Sequence, residues 1–218
     1  TGGGGGGAGG AGSVDNVTDV AAGYNHSLFL KSDGSLWGIG RDTWGQLGNG
    51  PASNSNVHAP EQIVASGVTA LATGASSDHS LFLKSDGSLW AMGYDGDGQL
   101  GNGAGGSATT PEQIVSSGVT AIAAGQYYSL FLKSDGSLWG MGADNYGQLG
   151  NGAASNADVA TPEQIVASGV TAIAAGSNHS LFIKSDGSLW AMGHDNSGQL
   201  GNGPASNANV HSPEQIVA

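Results

Sequence analysis

Cysteine is absent from the 218 residues, which excludes disulfide scaffolds, thiolate metal sites and thiol catalysis. It chooses no compartment, because a chain without cysteine is viable in either redox environment. Basic residues are nearly absent as well. Lys31, Arg41, Lys84, Lys133 and Lys184 stand against 17 Asp and Glu, for a net charge of −12. Phosphate recognition draws its affinity from clustered Lys and Arg, so nucleic acid and anionic membranes are excluded as partners. The acidity favours solubility and mutual repulsion. No apolar run approaches the roughly 18 residues that cross a bilayer, so no membrane insertion is expected. The chain opens at Thr1 rather than Met, as expected after removal of a leader or for a trimmed segment. No window sustains a 3.6-residue period, and glycines interrupt every candidate helix.

What is abundant is glycine, 41 residues without a Gly-X-Y period, and repetition. Val17, Val68, Val119 and Val170 open the same phrase at steps of 51 residues, and such self-similarity decides the fold. Each copy reads as four short strands. The first is of the Val-Thr-Ala-Ile-Ala type. The second, Ser-Leu-Phe-Ile-Lys, alternates with period two. A Ser-Asp-Gly turn follows, in which Asp bonds its own backbone and Gly accepts positive φ. Ser-Leu-Trp-Ala-Met-Gly is the third strand and Glu-Gln-Ile-Val the fourth. Four-stranded units of this length indicate an all-β protein of β-propeller-type blades, partial or open. One unit cannot bury its apolar face alone, so neighbours must stack. The Trp37, Trp90, Trp139, Trp190 series and the Phe29, Phe82, Phe131, Phe182 series are expected to fill the space between blades. Repeats run over 17–67, 68–118, 119–169 and 170–218, behind a glycine-rich tail at 1–16. The second copy has two extra residues between Gly74 and His79 and two fewer between Gly103 and Pro111. Length changes therefore fall in two loops, where binding surface can vary.

The recurring phrase Val-x-x-Ala-x-Gly…His-Ser-Leu…Asp-Gly-Ser-Leu-Trp-x-x-Gly…Gly-Gln-Leu-Gly resembles the repeat of the regulator-of-chromosome-condensation family, over about residues 17–218. That resemblance implies a propeller, usually of seven blades, with blades completed by strands from adjacent repeats. It also implies varied work: exchange factors for a small GTPase, secreted inhibitors that cap a β-lactamase, and repeats of bacterial surface proteins. The wording of residues 81–93 is most similar to the last group. Four repeats depart from that count. They form a fragment of a longer array, close with another copy, or stay open and stack head to tail. Open ends expose strand edges that template association.

Residues 1–13 read as a flexible linker. Against that, a glycine strand could also lie along a neighbour's edge by β-augmentation, which makes Gly2, Gly3, Gly4, Gly5, Gly6 and Gly7 a candidate interface. His26, His79 and His179 share one repeat position that Tyr128 fills in the third copy. A catalytic or metal-binding histidine would not be replaced by Tyr, so these are read as packing residues bonded to backbone. The Asp-rich turns, such as Asp95-Gly-Asp-Gly98, read as Asx turns, since a calcium loop needs more oxygen ligands and a distal carboxylate. Glu61, Glu112, Glu163 and Glu214 are equivalent, unlike a catalytic pair in two environments. No catalytic, metal or cofactor site is expected. Trp44, Tyr94 and Tyr146, in the turns before Gly-Gln-Leu-Gly, suit a binding face. The preferred expectation is a non-enzymatic, secreted or cell-surface structural protein that assembles with itself through blade edges and tail. A secreted binding module, as inhibitor or adhesin acting through the propeller loops, is the alternative. A GTPase exchange factor is the remaining one.

Overall fold

The computed structural model describes residues 16–50, 56–152, 157–203 and 209–218. The interface expected at Gly2 to Gly7 lies outside them. The described residues form sixteen strands and no helix, arranged as four four-stranded sheets in which the strands pair antiparallel in chain order. The first blade is β1 (Val17–Ala22), β2 (His26–Lys31), β3 (Leu36–Gly40) and β4 (Val57–Val64). The second is β5 (Val68–Ala72), β6 (His79–Lys84), β7 (Leu89–Gly93) and β8 (Ala108–Val115). The third is β9 (Val119–Ala124), β10 (Tyr128–Lys133), β11 (Leu138–Gly142) and β12 (Val159–Val166). The fourth is β13 (Val170–Ala175), β14 (His179–Lys184), β15 (Leu189–Gly193) and β16 (Val210–Val217). Counted from Val17, each blade takes all four strands from one copy, so the strand sharing implied by the resemblance does not occur in this frame.

The small side chains of β1, β5, β9 and β13 let these strands crowd together as the inner strands. The fourth strands are longer than expected from Glu-Gln-Ile-Val. Each begins upstream of its proline, as in Val57–Val64 around Pro60. Proline lacks the N–H that a ladder needs, and an outer edge strand tolerates that loss. Bulges in the β3–β4 pairing mark the cost to the register.

Period-two alternation gives each blade two different faces. On β6, Ser80, Phe82 and Lys84 point toward the preceding blade, and His79, Leu81 and Leu83 toward the following one. Phe82 packs with Leu28, Leu30, Leu36 and Leu47 of the first blade, with Trp90 against the same cluster. The second seam sets Phe131 against Leu81, Leu83 and Leu89. The third sets Phe182 against Leu130, Leu132 and Leu138. Burying one such side chain is worth roughly 1.5–3 kcal/mol, so these seams carry most of the cohesion between blades.

The tryptophans lie shallower than the phenylalanines. Register places each Trp directly across from its Phe, as in Phe82↔Trp90. Their rings stack at centroid distances of 6.1–6.2 Å. The strand-end lysine covers the outer face of each Trp at 4.0–4.1 Å, a cation–π contact. The indole N–H donates to Ser35, Ser88, Ser137 or Ser188, whose hydroxyl donates in turn to the hairpin aspartate. Lysine, tryptophan and the Ser-Asp-Gly turn are thus one local unit, repeated in every blade.

Candidate interaction surfaces

The shared His/Tyr position forms a stitch across each seam. His26 Nε2 lies 2.8 Å from Ser80 Oγ, and His79 Nε2 lies 2.9 Å from Ser129 Oγ. Each serine donates back to a glutamine carbonyl in the preceding blade's Gly-Gln-Leu-Gly loop, Ser80 to Gln46 and Ser129 to Gln99. Tyr128 does the same work with a longer side chain. Its hydroxyl donates to the carbonyls of Gly176 and His179 and accepts from Ser180. The histidines therefore bond to serine side chains rather than to backbone; only Tyr128 reaches carbonyls. Burial pushes His79 down to about 3 and His26 down to about 4, so both are neutral at pH 7. His79 Nδ1 lies 2.6 Å from Ser77 Oγ, but both side chains are sealed from solvent, so the pair holds the seam and presents no nucleophile.

The Asp-rich turns are built the same way in each copy. Asp42, Asp95, Asp144 and Asp195 are buried and accept the backbone N–H five residues on, as Asp144 does from Leu149 at 2.9 Å. Burial raises the carboxyls of Asp42, Asp95 and Asp144. Among the described residues no three His, Asp or Glu side chains gather as a metal ion requires. Glu61 and Glu112 each accept a bond from the loop asparagine of their own blade at 2.8 Å.

The connections between first and second strands, and between third and fourth, emerge on one face. The structure brings two of the three expected aromatics together there. Trp44, 40% exposed, meets Tyr94 edge-on at 5.3 Å. Tyr94 in turn meets Tyr127 at 6.2 Å. Tyr146 sits apart, packed on His194 at 4.6 Å. Tyr127 and Tyr24 were missed from sequence. They precede the packing His/Tyr position, and only the fold shows that this connection shares a face with the Trp44 turn. Tyr24 and Tyr127 line a cavity of about 250 Å³ with Ser76, Asp78 and Gln126.

The two ends of the arc expose the halves of a seam. On the first blade Ser27 and Phe29 are half-buried, whereas their counterparts Ser80 and Phe82 are buried. On the fourth, His179, Leu181 and Leu189 are half-buried and Ile183 is 41% exposed, whereas Leu132, the counterpart of Ile183, is 3% exposed.

Four radially stacked, four-stranded antiparallel blades with small inner strands and a shared loop face define a partial β-propeller. The RCC1-like domain family matches residues 9–218, and the chain belongs to that family. It is 32% identical over 210 residues to the E3 ubiquitin-protein ligase HERC2 of Homo sapiens, covering 93% of this chain and 4% of that protein. Human WBSCR16 superposes with a TM-score of 0.80 at 27% identity, over 91% of this chain and 51% of that one. Prp20p of Saccharomyces cerevisiae, a structure described with its binding to Gsp1p and histones, gives 0.81 at 24% identity over 94% and 51%, a likeness of fold. The chain thus spans about half the length of these solved structures and a small share of the curated relative. Its class is an RCC1-like β-propeller protein-interaction domain.

Proposed function

We propose that this chain is a non-enzymatic scaffold whose open faces are closed by blades of its own pattern, supplied by a second copy. One observation carries this: the half-buried Ser27 and Phe29 at one end, and the half-buried His179 and Leu181 with the exposed Ile183 at the other, are the two sides of a seam made three times among the described residues. Each internal seam unites a Ser/Phe face with a His/Leu face, and the two ends offer one of each. Two arcs joined at both ends give an eight-blade ring, and arcs joined at one end only give a growing head-to-tail filament. Light scattering after size exclusion tests this, with a mass at or above twice the 21.4 kDa of one chain expected. Ile183→Asp should return the chain to a monomer. A wild type that stays monomeric across a concentration series overturns the proposal. Secretion or surface display belongs to the same proposal, on the resemblance to bacterial surface repeats, and is tested by fractionating the source cells.

A second reading is favoured by the exposed Trp44, Tyr94 and Tyr127 cluster: the loop face binds another protein. Aromatic anchors of this kind concentrate binding energy at interfaces. Capture of a partner that Trp44→Ala abolishes, with the fold unchanged, tests it.

A further inference from the structure

We infer that the loop-face cavity between Tyr24 and Tyr127 is a recognition site for a cationic side chain, an arginine presented by a partner protein. This rests on the loop-face reading above and gives it a chemistry. The cavity is walled by two phenol rings, 61% and 38% exposed, and Asp78 stands in its lining. Asp78 uses one oxygen to accept from Gln46 Nε2 at 3.1 Å. Its other oxygen lies 3.8 Å from Arg41, a long ion pair. That oxygen can still accept a strong charged hydrogen bond. Arg41, outside the cavity's lining and itself bonded through Nε to Thr43, already sets one guanidinium near this carboxylate.

The surroundings carry the same sign. The carboxylates of Asp97 and Asp78 raise the phenol of Tyr94, after burial, which is the largest cause. Asp97 is raised by its own burial and then by Asp158. No lysine answers them, because all four lysines lie over their tryptophans at the hairpin ends of the blades, the face opposite the loops. Charge complementarity therefore selects a cation, and the absence of a three-ligand cluster among the described residues argues against a metal ion. Arginine fits better than lysine. Its planar guanidinium stacks on tyrosine while its fork meets a carboxylate, and a desolvated cation over an aromatic ring gains more than an exposed one.

The test uses the full chain and a labelled tetra-arginine peptide, with tetra-citrulline as the uncharged control, read by fluorescence anisotropy at physiological salt. Saturable binding is expected, with citrulline roughly tenfold weaker or worse. Tyr127→Ala and Asp78→Asn should each weaken it by roughly fivefold to tenfold. Tyr127→Phe, which keeps the ring, and Tyr146→Ala, on the separate His194 contact, should leave it unchanged. Absence of binding overturns the inference. So does binding indifferent to both substitutions, which would mark diffuse attraction to the −12 chain. A captured partner lost in Trp44→Ala but insensitive to Asp78→Asn and to excess tetra-arginine overturns the cation site while leaving the loop-face reading standing.

Discussion

Replacing His79 with phenylalanine should flatten the acid side of this protein's stability curve. His79 is buried between blades, beside Ser77 and Ser129, and burial, with a smaller contribution from His26, pushes its pKa down to about 3. The unfolded chain restores it to about 6.5. A histidine whose folded pKa is depressed is neutral in both states above 6.5, so it adds no pH dependence there. Below 6.5 the unfolded state takes up a proton that the folded state refuses. Stability therefore falls from pH 6.5 down to the folded pKa. Between pH 7 and pH 5 this linkage costs about 2 kcal/mol for His79, and about as much again for His26, whose folded pKa is about 4. Phenylalanine fills most of the volume but loses two buried hydrogen bonds, a cost of roughly 1–3 kcal/mol at pH 7. Urea unfolding should show the variant less stable at pH 7 and nearly equal to wild type at pH 5. Asp42, Asp95, Asp97 and Asp144, raised by burial, act with the opposite sign in both proteins and cancel in the comparison. A His79→Phe protein that loses as much stability on acidification as wild type would refute the reasoning. His79→Gln, which also cannot titrate, serves if phenylalanine prevents folding.

Three other outcomes follow from the same seams. Ser129→Ala should cost roughly 1–3 kcal/mol, because both His79 Nε2 and the Gln99 carbonyl lose a buried partner; Ser27→Ala, at the equivalent place on an open face, should cost under about 0.5 kcal/mol in the monomer by chemical denaturation. Gly150→Ala should lower the midpoint of thermal unfolding more than Gly198→Ala. Both have positive φ, 68° and 74°, but a methyl group at Gly150 would strike the sulfur of Met192, whereas Gly198 faces open space. Asp144→Asn, which keeps the acceptor for Leu149 N–H and removes a buried charge, should stay within about 1 kcal/mol of wild type at pH 7, and Asp144→Ala should lose about 1–2 kcal/mol.

The blades were legible because each carries its own punctuation. Ser-Asp-Gly turns and period-two strands are local signals, and the recurrence of one Phe and one Trp at the same place in every copy marked them as packing residues. The depth of those two residues was not legible. Phe82 is buried while Trp90 stacks outside it, a difference set by strand register and by the lysine that covers the indole. The substitution of Tyr128 for histidine pointed to a structural role, yet its partner could not be read, since Ser180 lies 52 residues away across a seam. On the loop face, Trp44 and Tyr94 stood out by lying in equivalent turns. Tyr127 belongs to a different connection, and no sequence period links it to them. Only the convergence of two loop sets on one end of the blades brings it within 6.2 Å of Tyr94.

Repetition has a consequence for the ends of the arc. In a stack where each unit touches only its neighbours, stability is the sum of unit and seam energies. Among the described residues three seams join four blades, and the outer faces of the first and fourth blades meet no other described blade. Both keep seam chemistry: His179 repeats the stitching histidine and Ser27 repeats the accepting serine, and neither side chain meets its counterpart among the described residues. The outer faces here keep Phe29 and Trp37 on one blade and Leu181, Ile183 and Leu189 on the other, without substitution toward polar residues. Apart from Asp19 on β1, the described carboxylates sit on hairpins, outer strands and loops, and the apolar side chains of these two faces are interrupted by Ser27 and Lys31 on one and His179 on the other. A fourth seam therefore adds burial equivalent to that of an internal one and introduces no new kind of contact.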